Sequence, residues 1–255
     1  LIALDVLPAL VDPVFDAFSR GPRLQAWASR FGFGQKTGID LGSEVTGLLP
    51  TPDWRRKTYT KKTDPRNWQI DSLWKPGDSI QLAIGQKDLL VTPLQMARFY
   101  ALIANGGKLV RPHVVSDVEE GGGGPRSPAR VVHTFTPPAP QSVGLDPTYL
   151  AAVQDGLWQA THSQGGTATG VFGTFPIQIA GKTGTAQKNP NTDQLDQSWW
   201  CGYGPADGYE SPQLVVCALI ENGGFGADAA APAALQVFKE YFKNRLTSTG
   251  VGARP

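Results

Sequence analysis

Apolar residues recur at three-then-four spacing at Leu24, Trp27 and Phe31, after Pro22 and before Gly32. That period puts them on one face of a helix with proline at its start and glycine at its end, and the stripe is expected in the core. From Gly32 to Asp53 the pattern breaks. Gly32, Gly34, Gly38, Gly42 and Gly47 precede Pro50 and Pro52, as in a loop. Order resumes at Thr92-Pro93-Leu94-Gln95, where Thr92 can cap, Pro93 fits the first helical position and Gln95 completes a capping box. Leu94, Ala97, Ala101 and Ala104 form one stripe, and Met96, Phe99, Leu102 and Ile103 make the other faces apolar too. This helix is therefore expected to be largely buried until Asn105-Gly106-Gly107 ends it.

Residues 109–118 and 129–135 are β-rich runs around Gly121 to Gly124, which predicts a hairpin with a variable tip. Asp146-Pro147 opens a helix to about His162, with Tyr149, Val153, Leu157 and Trp158 as its packing positions. Three strands follow. Ile177 and Ile179 lead into Ala180-Gly181-Lys182-Thr183-Gly184-Thr185, residues 198–204 are aromatic, and residues 213–220 are strongly β-forming. Pro205-Ala206-Asp207-Gly208 reads as the turn between the last two. A terminal helix from Pro232 carries Leu235, Phe238 and Phe242 on one side and is expected to lie across the sheet.

Composition narrows the classes. With 255 residues, 40% hydrophobic and 18% charged, the chain can bury a core, and disorder is excluded. Thirty Gly and 21 Pro require many turns and exclude a coiled coil. Lys plus Arg exceeds Asp plus Glu by one, 23 against 22, so no global basic field exists to hold nucleic acid. Locally, Arg55, Arg56, Lys57, Lys61, Lys62 and Arg66 form a basic run that could meet anionic lipid or glycan; an ordinary solvated face is expected instead. No apolar run approaches the ~18 residues of a membrane span, and the opening Leu1-Ile2-Ala3 fits a fragment or processed product. Two Cys and three scattered His make neither a disulfide framework nor a metal site.

The chemistry-bearing segment is Lys182-Thr183-Gly184-Thr185: a cation, two hydroxyls and an unhindered backbone at Gly184. In an extended chain Lys182 and Gly184 face one way and Thr183 and Thr185 the other, so a bulge or twist is expected to bring Lys182 to Thr185. A second copy, Lys36-Thr37-Gly38, sits in the glycine-rich loop and reads as a turn. Only the later copy lies where a sheet edge could hold substrate.

Gly181-Lys182-Thr183-Gly184-Thr185-Ala186-Gln187, preceded by Gly166-Thr167-Ala168, resembles the third active-site motif of penicillin-binding proteins, serine transpeptidases that share the class A β-lactamase fold. Phe31-Gly32-Phe33-Gly34, Thr37-Gly38-Ile39-Asp40-Leu41, Gly77-Asp78-Ser79, Ile84-Gly85-Gln86, Thr92-Pro93-Leu94-Gln95 and Ala104-Asn105-Gly106-Gly107 resemble class B members in order and spacing. Trp199-Trp200 to Gly204-Pro205 and Glu221-Asn222-Gly223-Gly224 resemble the family's last hairpin. The resemblance covers roughly residues 24 to 245.

It implies an α/β (α+β) fold with an antiparallel sheet of about five strands flanked by helices. It implies peptidoglycan cross-linking by D-alanyl-D-alanine transpeptidation, with Lys182 and Thr185 catalytic and Thr183, Gly184 and Thr185 binding substrate. Implied partners are peptidoglycan stem peptides, β-lactam antibiotics and membrane wall-synthesis proteins, with no nucleic acid, no metal and no cofactor, on the extracytoplasmic face of the bacterial membrane. Residues 1–246 read as a partial transpeptidase domain, 1–16 as a candidate non-native stretch, and 247–255 as a tail.

Two departures stand beside the resemblance. The family's nucleophile lies in Ser-x-x-Lys, and the one formal match, Ser72-Leu73-Trp74-Lys75, runs straight into Pro76-Gly77 and reads as a decoy. In place of the second motif stands Leu10-Val11-Asp12, with Asp12 a remnant of its third position. Without an attacking atom the chain is expected to be inert alone. Upstream sequence lost, or a non-catalytic scaffold or binding module of the wall-synthesis complex, are the alternatives. Cys201 and Cys217 lie symmetrically about the last turn; the implied location permits a disulfide, and two buried thiols are expected.

Overall fold

The computed structural model describes residues 22–122, 129–188 and 195–248. Asp12, the stretch 1–16 and the hairpin tip at 123–128 lie outside them. Helix α1 (Arg23–Arg30) stops at Phe31, where Gly32 takes a φ of 91°. Its stripe is half-buried rather than core. Trp27 meets Phe31 at 5.7 Å, and Phe31 meets Phe99 at 5.2 Å, on the rim of the packing.

Helix α2 (Pro52–Thr58) is capped by Thr51, whose hydroxyl accepts the Trp54 N–H at 3.0 Å. It carries the first part of the basic run, and here the solvated-face expectation fails at one position. Arg55 is 3% exposed and pairs with Asp78 and Asp88, each at 3.3 Å, because its side of α2 faces two carboxylates. Helix α3 (Trp68–Asp71) and helix α4 (Pro76–Ala83) follow. Helix α5 (Pro93–Ala104) opens on the expected box: Thr92 Oγ1 accepts the Gln95 N–H at 3.1 Å and Gln95 Oε1 accepts the Thr92 N–H at 2.9 Å. Leu102 is fully buried within it.

Strand β1 (Lys108–Leu109) pairs with β4 (Gln141–Ser142), and β2 (Asp117–Glu120) with β3 (Arg130–Thr134), all antiparallel. The run 109–118 is thus not one strand. Asp40 explains the break, since its carboxylate takes the N–H groups of Val114 and Val115, both at 2.9 Å, and removes them from any ladder. Helix α6 (Pro147–His162) buries Leu150, whereas the expected Tyr149 is exposed. Helix α7 (Thr169–Phe172) precedes β5 (Ala180–Ala186), β6 (Gln197–Gly204) and β7 (Leu214–Ile220), and α8 (Ala230–Tyr241) and α9 (Lys243–Ser248) close the described chain.

The central sheet is antiparallel in the order β5-β6-β7, so among the described residues β5 is an edge strand. The α/β class stands, but among the described residues the sheet has three strands, not about five. The other strands pair with each other as two separate ribbons. Residues 205–213, a connection longer than the expected four-residue turn, join β6 to β7.

Each sheet face has its own core. Trp200 stacks on Phe172 at 4.6 Å and meets Phe238 of α8 edge-on at 5.8 Å; such pairs add about 0.5–1.5 kcal/mol beyond burial. On the other face Cys201, Tyr203 and Ala180 pack with Tyr100, Leu102 and Ile103 of α5 and Leu150 of α6.

The expectation of free thiols is corrected. Cys201 and Cys217 form a disulfide, because the register sets them directly opposite with Cα atoms 4.1 Å apart, the near-spaced kind of antiparallel pair. Among the described residues no helix is long and apolar enough to cross a membrane.

Candidate active site

The residues singled out by sequence lie on β5, whose pairing with β6 runs without a shift from Ala180↔Tyr203 to Ala186↔Gln197. Opposed residues share a face. Lys182 and Gly184, opposite Cys201 and Trp199, therefore lie on the α5–α6 side. Thr183 and Thr185, opposite Trp200 and Ser198, lie on the α8 side. The alternation is as expected, but there is no bulge.

Instead the Lys182 side chain curls around the open edge. Its Nζ donates to Thr167 Oγ1 at 3.1 Å and to Thr183 O and Oγ1, both at 3.0 Å, while Thr183 Oγ1 donates to Thr167 Oγ1 at 2.8 Å. Lys182 thus meets Thr183, not Thr185. A strand in mid-sheet has no free flank for a lysine to round; an edge strand does. Desolvation pulls the Lys182 ammonium below the ordinary lysine range.

Backbone direction follows from the ladder. In the near-spaced Cys201–Cys217 pair, Cys201 directs its own N–H and C=O away from β7, toward Lys182. Lys182 and Gly184 therefore pair inward, while Thr183 and Thr185 present their N–H and C=O to the free edge. Independent contacts agree, since Thr183 O is taken by Lys182 and Thr185 O accepts from Gln86 Nε2 at 2.8 Å. The Thr185 N–H consequently lies on the open edge between two occupied carbonyls.

The segment behind this strand is pressed close. A Cβ on Gly226 would sit 2.6 Å from Gly184 O and 2.9 Å from Gly184 N, so only glycine allows that approach. Ser198 holds the segment there, donating to Phe225 O at 2.9 Å and accepting from Ala230 N at 3.0 Å.

Thr167 is a site residue whose role sequence reasoning missed, although the block Gly166-Thr167-Ala168 marked its place. It stands in a turn tied back to α6 through Ala168 N to Ala160 O at 2.9 Å and Thr169 Oγ1 to Ser163 O at 2.7 Å. In turn α6 is tied to the start of β5 by Thr161 Oγ1 donating to Ile179 O at 2.5 Å.

The remaining candidates separate cleanly. In the first Lys-Thr-Gly copy the N–H groups of Thr37 and Gly38 hold the Glu44 carboxylate at 2.6 and 3.1 Å, a turn filled by its own chain. Burial alone would raise the Glu44 carboxyl, but bonds from Thr37 and Gly38 outweigh it and hold the group below the ordinary range. Ser72 caps α3, while the Lys75 ammonium is held by Asp71 at 3.1 Å. Trp200 is core, and Trp199 is half-buried on the other face. Among the described residues no cluster could hold a metal ion.

A cation, two hydroxyls and an outward N–H on one open edge form a receptor for a carboxylate and for an oxygen gaining charge.

Residues 19–243 match the family model described as "Penicillin binding protein transpeptidase domain". The chain is 31% identical over 238 residues to a peptidoglycan D,D-transpeptidase MrdA of Haemophilus influenzae, a match covering 88% of this chain and 33% of that protein. It thus spans about a third of the length of this curated relative. A crystal structure of Pseudomonas aeruginosa PBP2 in complex with WCK 5153 is 34% identical, with a TM-score of 0.67 over 86% of this chain and 43% of the other. A structure described as "Structural coordination of polymerization and crosslinking by a peptidoglycan synthase complex" is 33% identical, with a TM-score of 0.71 over 94% and 36%.

Proposed function

Because the chain belongs to the penicillin-binding protein transpeptidase family, class B in type, we propose that it forms the substrate-holding part of a serine D-alanyl-D-alanine transpeptidase that cross-links peptidoglycan. The observation that carries the reading is the open β5 edge, where the Thr185 N–H faces outward beside the Lys182–Thr183–Thr167 cluster.

In this reaction a serine Oγ adds to the carbonyl carbon of a stem peptide's penultimate D-alanine. The C–N bond breaks and D-alanine departs with the proton. The amine of a neighbouring strand then attacks the ester, forms the cross-linking amide and returns a proton to the serine. The Thr185 N–H meets the carbonyl oxygen as it gains charge, a donor whose removal costs about 2.7–4 kcal/mol of barrier in comparable sites. The Lys182 ammonium stabilises negative charge beside the serine, and the Thr183 and Thr185 hydroxyls hold the terminal carboxylate. Gly184 presents no side chain beside the Lys182 ammonium on the α5–α6 side of the strand. A β-lactam enters as a mimic of that peptide and stops at the ester.

Ser72 is not placed to attack, since the Lys75 ammonium is engaged by Asp71; the acylated serine is assigned to sequence beyond these residues. A solved structure described as a complex between PBP2 and MreC from Helicobacter pylori, 26% identical to this chain, supports a protein partner for it, and we place that assembly on the extracytoplasmic face of the membrane.

Acylation by a fluorescent penicillin, with the adduct mapped by mass spectrometry, tests the reading. The expected result is no adduct on this chain and labelling of a longer product that includes the coding sequence upstream of Leu1. An adduct on Ser72 overturns the assignment of the nucleophile, and no labelling of either product favours the non-catalytic scaffold.

A further inference from the structure

We infer that Gln86 is a positioning residue for the Thr185 amide, holding the open edge of β5 from the helical side; this rests on the reading of β5 as the substrate-holding strand. The Gln86 carboxamide faces the edge as a neighbouring strand's peptide group would. Its Nε2 donates to Thr185 O at 2.8 Å, and its Oε1 accepts from Gln187 N at 3.3 Å. An edge strand otherwise presents a row of unpaired backbone groups and has no partner to limit its twist. Here the Thr183 carbonyl is pinned by Lys182 and the Thr185 carbonyl by Gln86, and the amide between them is fixed on both sides.

Gln86 is itself held in place. Its N–H donates to Gln81 O at 2.9 Å, back onto the last turn of α4. Lys87 adopts the left-handed region at φ 65°, a conformation that a non-glycine residue keeps only where its surroundings impose it. Its ammonium is bonded to Asp78, which also pairs with Arg55, and Arg55 pairs with Asp88. Arg55 and Asp78 are 3% and 4% exposed. The anchorage therefore runs from a buried ion cluster, through the 84–88 loop, to the strand edge.

Two readouts test the inference on Gln86→Ala and Gln86→Glu. Amide hydrogen exchange on the 255-residue chain is expected to speed at Gln187 by about fivefold in Gln86→Ala, which loses the acceptor. Gly184 and Ala186, paired to β6, keep their rates and report intact folding. Gln86→Glu retains an oxygen for Gln187 but sets an acceptor against the Thr185 carbonyl, so Gln187 exchange stays near the unmodified value. Penicillin acylation, measured in whichever product the labelling experiment shows to be acylated, is expected to slow about tenfold in both variants, in the bond-forming step rather than in affinity. Unchanged Gln187 exchange in Gln86→Ala overturns the brace. Faster exchange with an unchanged acylation rate overturns the positioning role. An unmodified protein that is never acylated overturns the transpeptidase reading alone.

Discussion

At Lys182 an ammonium lies among three oxygens, from Thr167 and Thr183, on the open flank of β5. Its pKa is lowered by desolvation, so the charge is lost at a lower pH than the ~10.4 of an ordinary lysine. In the longer product that includes the sequence upstream of Leu1, penicillin acylation is therefore expected to decline on the alkaline side before that value, and a pH–rate profile flat to pH ~10.4 would remove Lys182 from the step. In that longer product Lys182→Ala is expected to slow acylation at least about tenfold, a barrier change of about 1.4 kcal/mol. Asp78 illustrates the opposite sign. Burial alone would raise its carboxyl, but bonds from the Lys87 ammonium and the Lys75 N–H, with the charge of Arg55, hold it below the ordinary range. Between the folded and unfolded values the unfolded chain binds more protons, so this contribution is complete above pH ~3.9 and fades as pH falls further. Asp78→Asn is expected to flatten the acid limb of a stability–pH curve and to cost about 3–5 kcal/mol, because it breaks a buried pair.

Among the elements, α5 was the most legible, since Thr92, Pro93 and Gln95 each suit one cap position and no other pattern explains all three. Thr92→Ala is expected to lower stability by about 1 kcal/mol in denaturant unfolding. The segment behind β5 was not legible, because glycine's need at 226 arises from a backbone contact distant in sequence. Gly226→Ala is expected to displace that segment from Gly184 and cost about 1–3 kcal/mol; a mutant with unchanged melting would show that the two backbones part easily. The run 109–118 misled for a related reason. Its β-forming residues were visible, but the Asp40 carboxylate that takes two of its N–H groups comes from the first loop.

On the scale of the whole molecule, the sheet, three-stranded among the described residues, lies between two cores and is closed covalently between β6 and β7. Alkylation without reductant should modify neither Cys201 nor Cys217, and replacing both with Ala is expected to cost about 2–4 kcal/mol in the oxidised protein. The motif on β5, the terminal helix with Phe238 and the three successive strands were readable because each is written in a local period or a contiguous block. Thr167 and Gln86 were visible as letters but not as contacts, since nothing in a linear chain states which side chain will close on a distant edge. The disulfide lay between these cases, its partners correctly opposed and its bond decided only by the spacing of the pair.

A main-chain N–H lies beyond the reach of ordinary substitution: apart from proline, every residue type supplies one. The outward amide at position 185 can therefore not be erased by exchanging its side chain. Heritable change can retune that donor only through its supports, by shortening the carboxamide at 86, altering the hydroxyl at 167 or crowding the glycine at 226. Under the proposed function, a cell under antibiotic selection would have to loosen the grip on drug and natural peptide together, through residues that need touch neither.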